Sequence, residues 1–203
     1  MKLVVGLGNP GPEYAETRHN VGFRIVERLA DRHRIALARE RRLEARSGEG
    51  VVHGVRAALL LPSTYMNHSG RAVAAALEAW PLGELGTDLL VVYDDLDLPF
   101  GRLRIRPGGG AGGHRGLADI QSRLGRSDFP RLRFGIGRPP EGRDGVEYVL
   151  APFDPAEKAA LAPRLARAAD AVEAVLCEGV ASAMNQFNRS DPEECPPNFA
   201  ENG

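Results

Sequence analysis

Two short runs, Leu3-Val4-Val5 and Leu89-Leu90-Val91-Val92-Tyr93, are apolar at every position. A strand with one face in water alternates apolar and polar residues, whereas an unbroken apolar run of this length suits a strand covered on both faces. Covering layers are present in the sequence. From Val21 to Arg34, the residues Val21, Ile25, Val26, Leu29 and Ala30 recur on one helical face with charges opposite. Helical patterns return over Ala72 to Trp80, Leu117 to Leu124, an alanine-rich stretch from Pro155 to about Cys177, and Ala181 to Asn188. Strands alternating with helices predict an α/β fold, a three-layer sandwich with helices on both faces of a twisted, mostly parallel sheet. A hairpin is also predicted, with Val51-Val52, a turn at His53-Gly54 and a strand from Val55 to Leu61. The sheet should therefore be mixed. Further strands are expected over Arg102 to Arg106 and Leu132 to Ile136, with a short segment at Val146 to Leu150. The charged stretch Arg39 to Arg46 should be exposed, and Asn20 and Ser69 are candidate helix caps.

Both apolar runs end in polar chemistry. The first breaks into Gly6-Leu7-Gly8-Asn9-Pro10-Gly11-Pro12, then Thr17-Arg18-His19-Asn20. Gly6-x-Gly8-x-x-Gly11 formally matches a dinucleotide fingerprint. That fingerprint needs backbone N–H groups and a helix that opens at the loop. Pro10 and Pro12 remove donors, and Pro12 pushes Gly11 away from helical angles. No acidic residue ends a second strand about 20 residues on, where a ribose contact would be expected. The nucleotide reading is therefore set aside. The second run leads into Asp94-Asp95-Leu96-Asp97. Carboxylates just past a buried strand often face a cleft in such a sheet.

The chain of 203 residues suits one domain, expected over 1–189, with a polar, proline-containing tail at 190–203. Met1-Lys2-Leu3 enters the first strand directly, and no run is long enough to span a bilayer. A soluble cytoplasmic protein is the expectation. Cys177 and Cys195 carry no metal-ligand spacing and do not suggest a disulfide framework. Net charge is −1, yet Arg102 to Arg143 holds ten arginines against Asp119, Asp128 and Glu141. Such a local excess permits phosphate binding, though a solvated face would account for it equally well.

Few residues can carry chemistry. His19 follows the first strand and Asp94 the central one; Asn9 and Asn67 lie in loops; His114 lies in the glycine loop Pro107 to Gly116. If those loops meet at one edge of the sheet, a His–Asp pair can activate water, with the carboxylate fixing the imidazole tautomer. Side-chain amides can stabilise an oxyanion. The bland readings are a capping histidine, loop-solvating aspartates, a turn asparagine and a core Met66. No Gly-x-Ser-x-Gly elbow occurs, neither cysteine is placed as a nucleophile, and no spacing dictates a metal. Water as the attacking group fits best.

Several motifs together resemble bacterial-type peptidyl-tRNA hydrolase. They are Gly6-Leu7-Gly8-Asn9-Pro10-Gly11 with Thr17-Arg18-His19-Asn20, then Tyr65-Met66-Asn67, then Asp94-Asp95-Leu96-Asp97-Leu98-Pro99 with Gly101. Gly112-Gly113-His114 and Arg133-Phe134-Gly135-Ile136-Gly137 complete the set. The resemblance implies hydrolysis of the ester joining a peptide to the 3′ end of tRNA, by a monomer without metal or cofactor. It implies that His19 activates water, that Asp94 orients it, and that Asn9 and Asn67 hold the substrate. It places Tyr14, Tyr65, Met66, His114 and Arg115 around the substrate, and Arg106 and Arg133 on the tRNA 5′ phosphate. Arg115 departs from the family, which usually has asparagine there. The rival from another class is a non-catalytic RNA-binding protein on the same scaffold; the presence of both His19 and Asp94 favours the enzyme.

Overall fold

Seven strands and seven α-helices follow one another among residues 1–189, which the computed structural model describes. The expected tail at 190–203 lies outside them. In order they are β1 (Lys2–Gly6), α1 (Val21–Arg32), β2 (Ala38–Glu40), β3 (Ala45–Val52), β4 (Val55–Pro62), α2 (Ser69–Ala79) and α3 (Leu85–Asp88). The second half holds β5 (Leu89–Asp95), β6 (Leu103–Arg106), α4 (Arg115–Leu124), β7 (Arg131–Gly135), α5 (Gly145–Leu150), α6 (Pro155–Glu178) and α7 (Val180–Phe187).

The seven strands form one sheet in the order β2-β3-β4-β1-β5-β7-β6. β4, β1, β5 and β7 are parallel neighbours, while β3 and β6 run against them. The two apolar runs are thus adjacent central strands, in register Leu3 with Leu89 and Val5 with Val91. Their side chains alternate between two separate cores. Val4, Leu90 and Val92 face a core shared with Val21, Ile25, Leu29, Leu165 and Val172, from α1 and α6. Leu3, Val5, Leu89, Val91 and Tyr93 face the other core, with Ala72, Val73, Leu117 and Ile120 from α2 and α4. The missing polar alternation therefore has a direct cause: each central strand has a helical layer on both sides.

One close approach fixes how α1 meets the sheet. A Cβ on Gly22 would collide with the Val92 carbonyl and the Leu7 backbone, and one on Gly6 would meet the Gly22 carbonyl at 2.5 Å. Only hydrogen at both positions lets the first turn of α1 sit on the ends of β1 and β5. The residues before it, Arg18–Asn20, form a short 3-10 turn held at those strand ends. α1 opens at Val21, well beyond Gly11, and only a three-residue 3-10 turn, Pro12–Tyr14, with proline at its first position, follows Gly11 directly.

The hairpin turn falls at His53-Gly54 as expected, with left-handed φ values of 47° and 88°. Elsewhere the structure differs from the sequence reading. Asn20 makes no capping bond; its side chain is engaged by Asn9 instead. Ser69 is the first residue of α2, not its cap, and its hydroxyl donates to the Met66 carbonyl at 2.8 Å. Part of the charged stretch pairs as the exposed edge strand β2 and the start of β3. The segment Val146 to Leu150 is helical because Asp144 accepts from the N–H groups of Val146 and Glu147 at 2.7 and 3.0 Å. No described helix is long and apolar enough to cross a membrane.

Candidate active site

The loops that leave β1 and β5 at their C-terminal ends meet over one cleft of about 540 Å³. This is the edge where open α/β sheets gather their ligands. Asn9, His19, Tyr65, Met66, Asn67, Asp94, His114 and Arg115 all line it. Tyr14, Arg106 and Arg133 do not.

Asp94, near the end of β5, is buried at 3% exposure. His19 Nδ1 lies 2.8 and 2.9 Å from its two carboxylate oxygens. The imidazole therefore carries its proton on Nδ1, donated to Asp94, and leaves Nε2 as a base. A second imidazole reaches the same carboxylate. His114 Nε2 is 3.1 Å from Asp94 Oδ1, while its Nδ1 accepts the Leu117 N–H at 3.2 Å and so caps α4. Because Nδ1 accepts, the proton of neutral His114 sits on Nε2, and that nitrogen donates to Asp94. The sequence reading groups His114 with the substrate residues; the structure spends both of its ring nitrogens inside the protein.

These contacts set the protonation states. Burial alone would push the Asp94 carboxyl up, but the charge of His19 and the hydrogen bonds from His114 and His19 hold it well below the usual carboxylate range. For His19, burial disfavours the cation, but the charge and hydrogen bond of Asp94 outweigh it and raise the pKa, against an opposing push from Arg115. His19, Asp94 and His114 also present one ligand atom each within 4.8 Å of one another. A cation there would have to displace the proton that His114 donates, because the Leu117 N–H pins the other tautomeric nitrogen.

The amides are held as firmly. Asn9 is 8% exposed, and its Oδ1 accepts the Met66 N–H at 2.8 Å. Its backbone bonds both ways with the Asn20 side chain, at 2.8 and 2.9 Å. With Oδ1 occupied, Asn9 offers Nδ2 as a donor to the cleft. Asn67 and Tyr65 are exposed at the rim, while Met66 is buried beneath them. A Cβ on Gly116 would stand 2.5 Å from Met66 Sδ, so the floor of the cleft is close-packed.

Three features escape a reading of sequence alone. One wall of the cleft is α5, which contributes Val146, Val149 and Leu150. Their i, i+3, i+4 spacing was a signal, but in a six-residue helix it is too short to trust. Arg18 beside His19 is 1% exposed. Its guanidinium bonds the Pro152 carbonyl at 2.6 Å and Glu157 at 2.7 Å, and stacks 4.2 Å from the Tyr148 ring centre. Arg131 is 2% exposed and bonds the carbonyls of Gly109, Gly110 and Ser127 at 2.8, 3.1 and 2.8 Å. Nothing in the sequence distinguishes these two arginines from surface ones.

The arginine-rich segment is less positive than its count suggests. Arg133 pairs with Asp95, Arg138 with Asp97, Arg126 with Asp128 and Arg123 with Asp119. Arg104 and Arg106 stand opposite Arg133 and Arg131 on the paired strands β6 and β7, so four guanidinium groups share one face.

The model for the family described as peptidyl-tRNA hydrolase matches residues 3–194. The chain belongs to the peptidyl-tRNA hydrolase family. A peptidyl-tRNA hydrolase of Chloroflexus aggregans is 54% identical over 188 residues, covering 93% of this chain and 99% of that one. One from a Synechococcus strain is 52% identical over 191 residues, covering 94% and 84%. The crystal structure of the peptidyl-tRNA hydrolase of Acinetobacter baumannii matches with a TM-score of 0.87 at 39% identity, over 95% of this chain and 96% of that one. Peptidyl-tRNA hydrolase structures thus share the mixed sheet and flanking helices found here.

Proposed function

We propose that the cleft hydrolyses the ester between a peptide and the terminal ribose of tRNA, with His19 as general base. Family membership supports the reaction class. The observation that carries the residue roles is the double contact of His19 Nδ1 with Asp94, which aims Nε2 into the cleft as a base. Water attacks the ester carbonyl carbon and passes a proton to His19 Nε2. The developing oxyanion is met by amide donors from Asn9 and Asn67. Collapse of the adduct breaks the bond to the ribose oxygen, which takes the proton back from the imidazolium. The products are a peptide acid and a free tRNA.

Asp94 orients His19 and stabilises its cation, and His114 in turn fixes Asp94. Tyr65 and Met66 flank the bound ester, with Arg115 available to the terminal adenosine and its phosphate. Tyr14 lies outside the cleft and is assigned to the approach of the substrate. Arg106 and Arg133 are assigned to the tRNA 5′ phosphate, through the guanidinium face of β6 and β7. The same reading carries a monomer that acts in the cytoplasm on dropped-off chains, recycling their tRNA.

The test is turnover of purified peptidyl-tRNA by His19→Ala. General-base removal should cost about 10²–10⁴-fold in kcat with tRNA binding retained. Full activity would refute the mechanism. Binding of tRNA without turnover in the unaltered protein would favour the RNA-binding rival.

A further inference from the structure

His33, His53 and Glu173 come from three distant parts of the chain and meet at one point. His33 ends α1, His53 occupies the β3–β4 turn, and Glu173 lies on α6. His33 Nε2 is 2.9 Å from one carboxylate oxygen of Glu173, and His53 Nε2 is 3.2 Å from the other. The two rings meet edge to face with centroids 4.9 Å apart. All three ligand atoms lie within 4.8 Å of one another. Zinc bonds of about 2.0–2.1 Å place neighbouring ligands of a tetrahedron roughly 3.3 Å apart. The cluster is therefore close to ligand geometry already.

We propose that His33, His53 and Glu173 bind a divalent first-row transition cation of the Zn²⁺ type. Two imidazoles and one carboxylate are a borderline donor set that suits zinc better than calcium or magnesium. Water takes the fourth position on the exposed side, where the His53 side chain is 60% accessible. Among the described residues, neither Nδ1 is committed to another group, so each ring is able to hold its proton on Nδ1 and present Nε2 to the ion. The His19–Asp94–His114 cluster lacks that freedom, because the Leu117 N–H fixes the tautomer of His114.

Two neighbours bear on the exchange of hydrogen bonds for a metal. Arg32 touches Glu173 at 3.3 Å and its charge opposes a cation there, but it holds Asp170 at 2.6 Å and the Ala166 carbonyl at 3.1 Å, so it keeps those partners when Glu173 turns to the ion. His53 occupies a left-handed position with φ 47°, where asparagine or glycine serves a tight hairpin better. Histidine is among the residues that tolerate that conformation, and here its ring reaches Glu173. The site lies at the far end of α1 from His19, at the opposite edge of the sheet. Its role would be a clamp that joins α1, the hairpin and α6, apart from the proposed hydrolysis.

Calorimetric titration of the full chain with Zn²⁺ tests this. One site is expected, weakened at least about tenfold in His53→Ala and in Glu173→Gln and unchanged in His114→Ala. Zinc should raise the melting temperature of the unaltered chain and not that of His53→Ala, because an ion that binds only the folded state stabilises it. Absence of a stoichiometric site would overturn the proposal. So would binding that survives both His53→Ala and Glu173→Gln, or that is lost in His114→Ala.

Discussion

His114 donates its Nε2 proton to Asp94 Oδ1, the same oxygen that lies 2.8 Å from His19. Two imidazoles therefore share one buried carboxylate, one facing the cleft and the other locked to the start of α4. His114→Ala should lower kcat, because Asp94 loses a donor and its orientation. KM should change little if the ring makes no polar contact with substrate. His114→Gln, which keeps a donor, should recover part of the rate. A rise in KM with kcat unchanged would return His114 to the substrate-binding group. Steady-state kinetics on peptidyl-tRNA separates the two outcomes.

A pH profile follows from the role proposed for His19. A general base must be neutral, and Asp94 raises the pKa of His19 above 6.5. The ratio kcat/KM should therefore climb with pH to a plateau, with its midpoint above 6.5. Asp94→Asn removes the charge that raises it while burial still disfavours the cation, so the midpoint should move down and the plateau rate fall. Stability carries opposite signs for the two groups. The raised pKa of His19 stabilises the fold below about 6.5 and that contribution fades as pH rises. The depressed pKa of Asp94 stabilises the fold above about 3.9 and is lost as pH falls. Melting temperatures of Asp94→Asn across pH should show the largest loss between about pH 4 and 6.5, where both contributions are present, and a smaller one at neutral pH.

Arg106 and Arg133 differ in their surroundings. Arg106 is exposed, whereas Arg133 is paired with Asp95. Arg106→Ala should weaken tRNA binding and reduce the salt slope by about 0.7–0.9 for a lost phosphate contact. Arg133→Ala should weaken binding more, because it also leaves the Asp95 charge facing the phosphates. Adding Asp95→Asn to Arg133→Ala should recover part of that loss, which a double-mutant cycle on tRNA affinity would reveal. Unaltered binding in both single variants would remove the phosphate clamp.

Arg131 should behave as a structural arginine despite standing on the basic face. It ties Gly109 and Gly110 to Ser127 through three carbonyls. Arg131→Ala leaves those carbonyls short of a donor and should cost about 2–4 kcal/mol in chemical denaturation. Hydrogen exchange should quicken at Gly109 to Gly113. The salt dependence of tRNA binding should change less than in Arg106→Ala.

The pairing of His19 with Asp94 was legible because each follows an apolar run, and adjacent parallel strands bring their ends to one edge. The α/β layering was legible for the same reason. Charge was not. The window from Arg102 to Arg143 leaves out Asp95 and Asp97, which lie just before it and neutralise Arg133 and Arg138. Burial of an arginine depends on which carbonyls and rings surround it, and no local pattern around Arg18 or Arg131 records that. Asparagine before a helix usually caps it, which makes Asn20 a cap by sequence. Its partner Asn9 lies across the loop, and the reciprocal bonds between them became visible only once the loop was closed.

The anchoring of Arg18 to Pro152 and Glu157 gives the C-terminal helices a hold on the histidine turn. A fragment that stops after β7 would keep His19, Asp94 and both amides, yet lose the surface against which that turn is braced. The geometry of the proposed site is thus a property of the whole described chain, since helices that supply neither His19 nor Asp94 set where the imidazole stands.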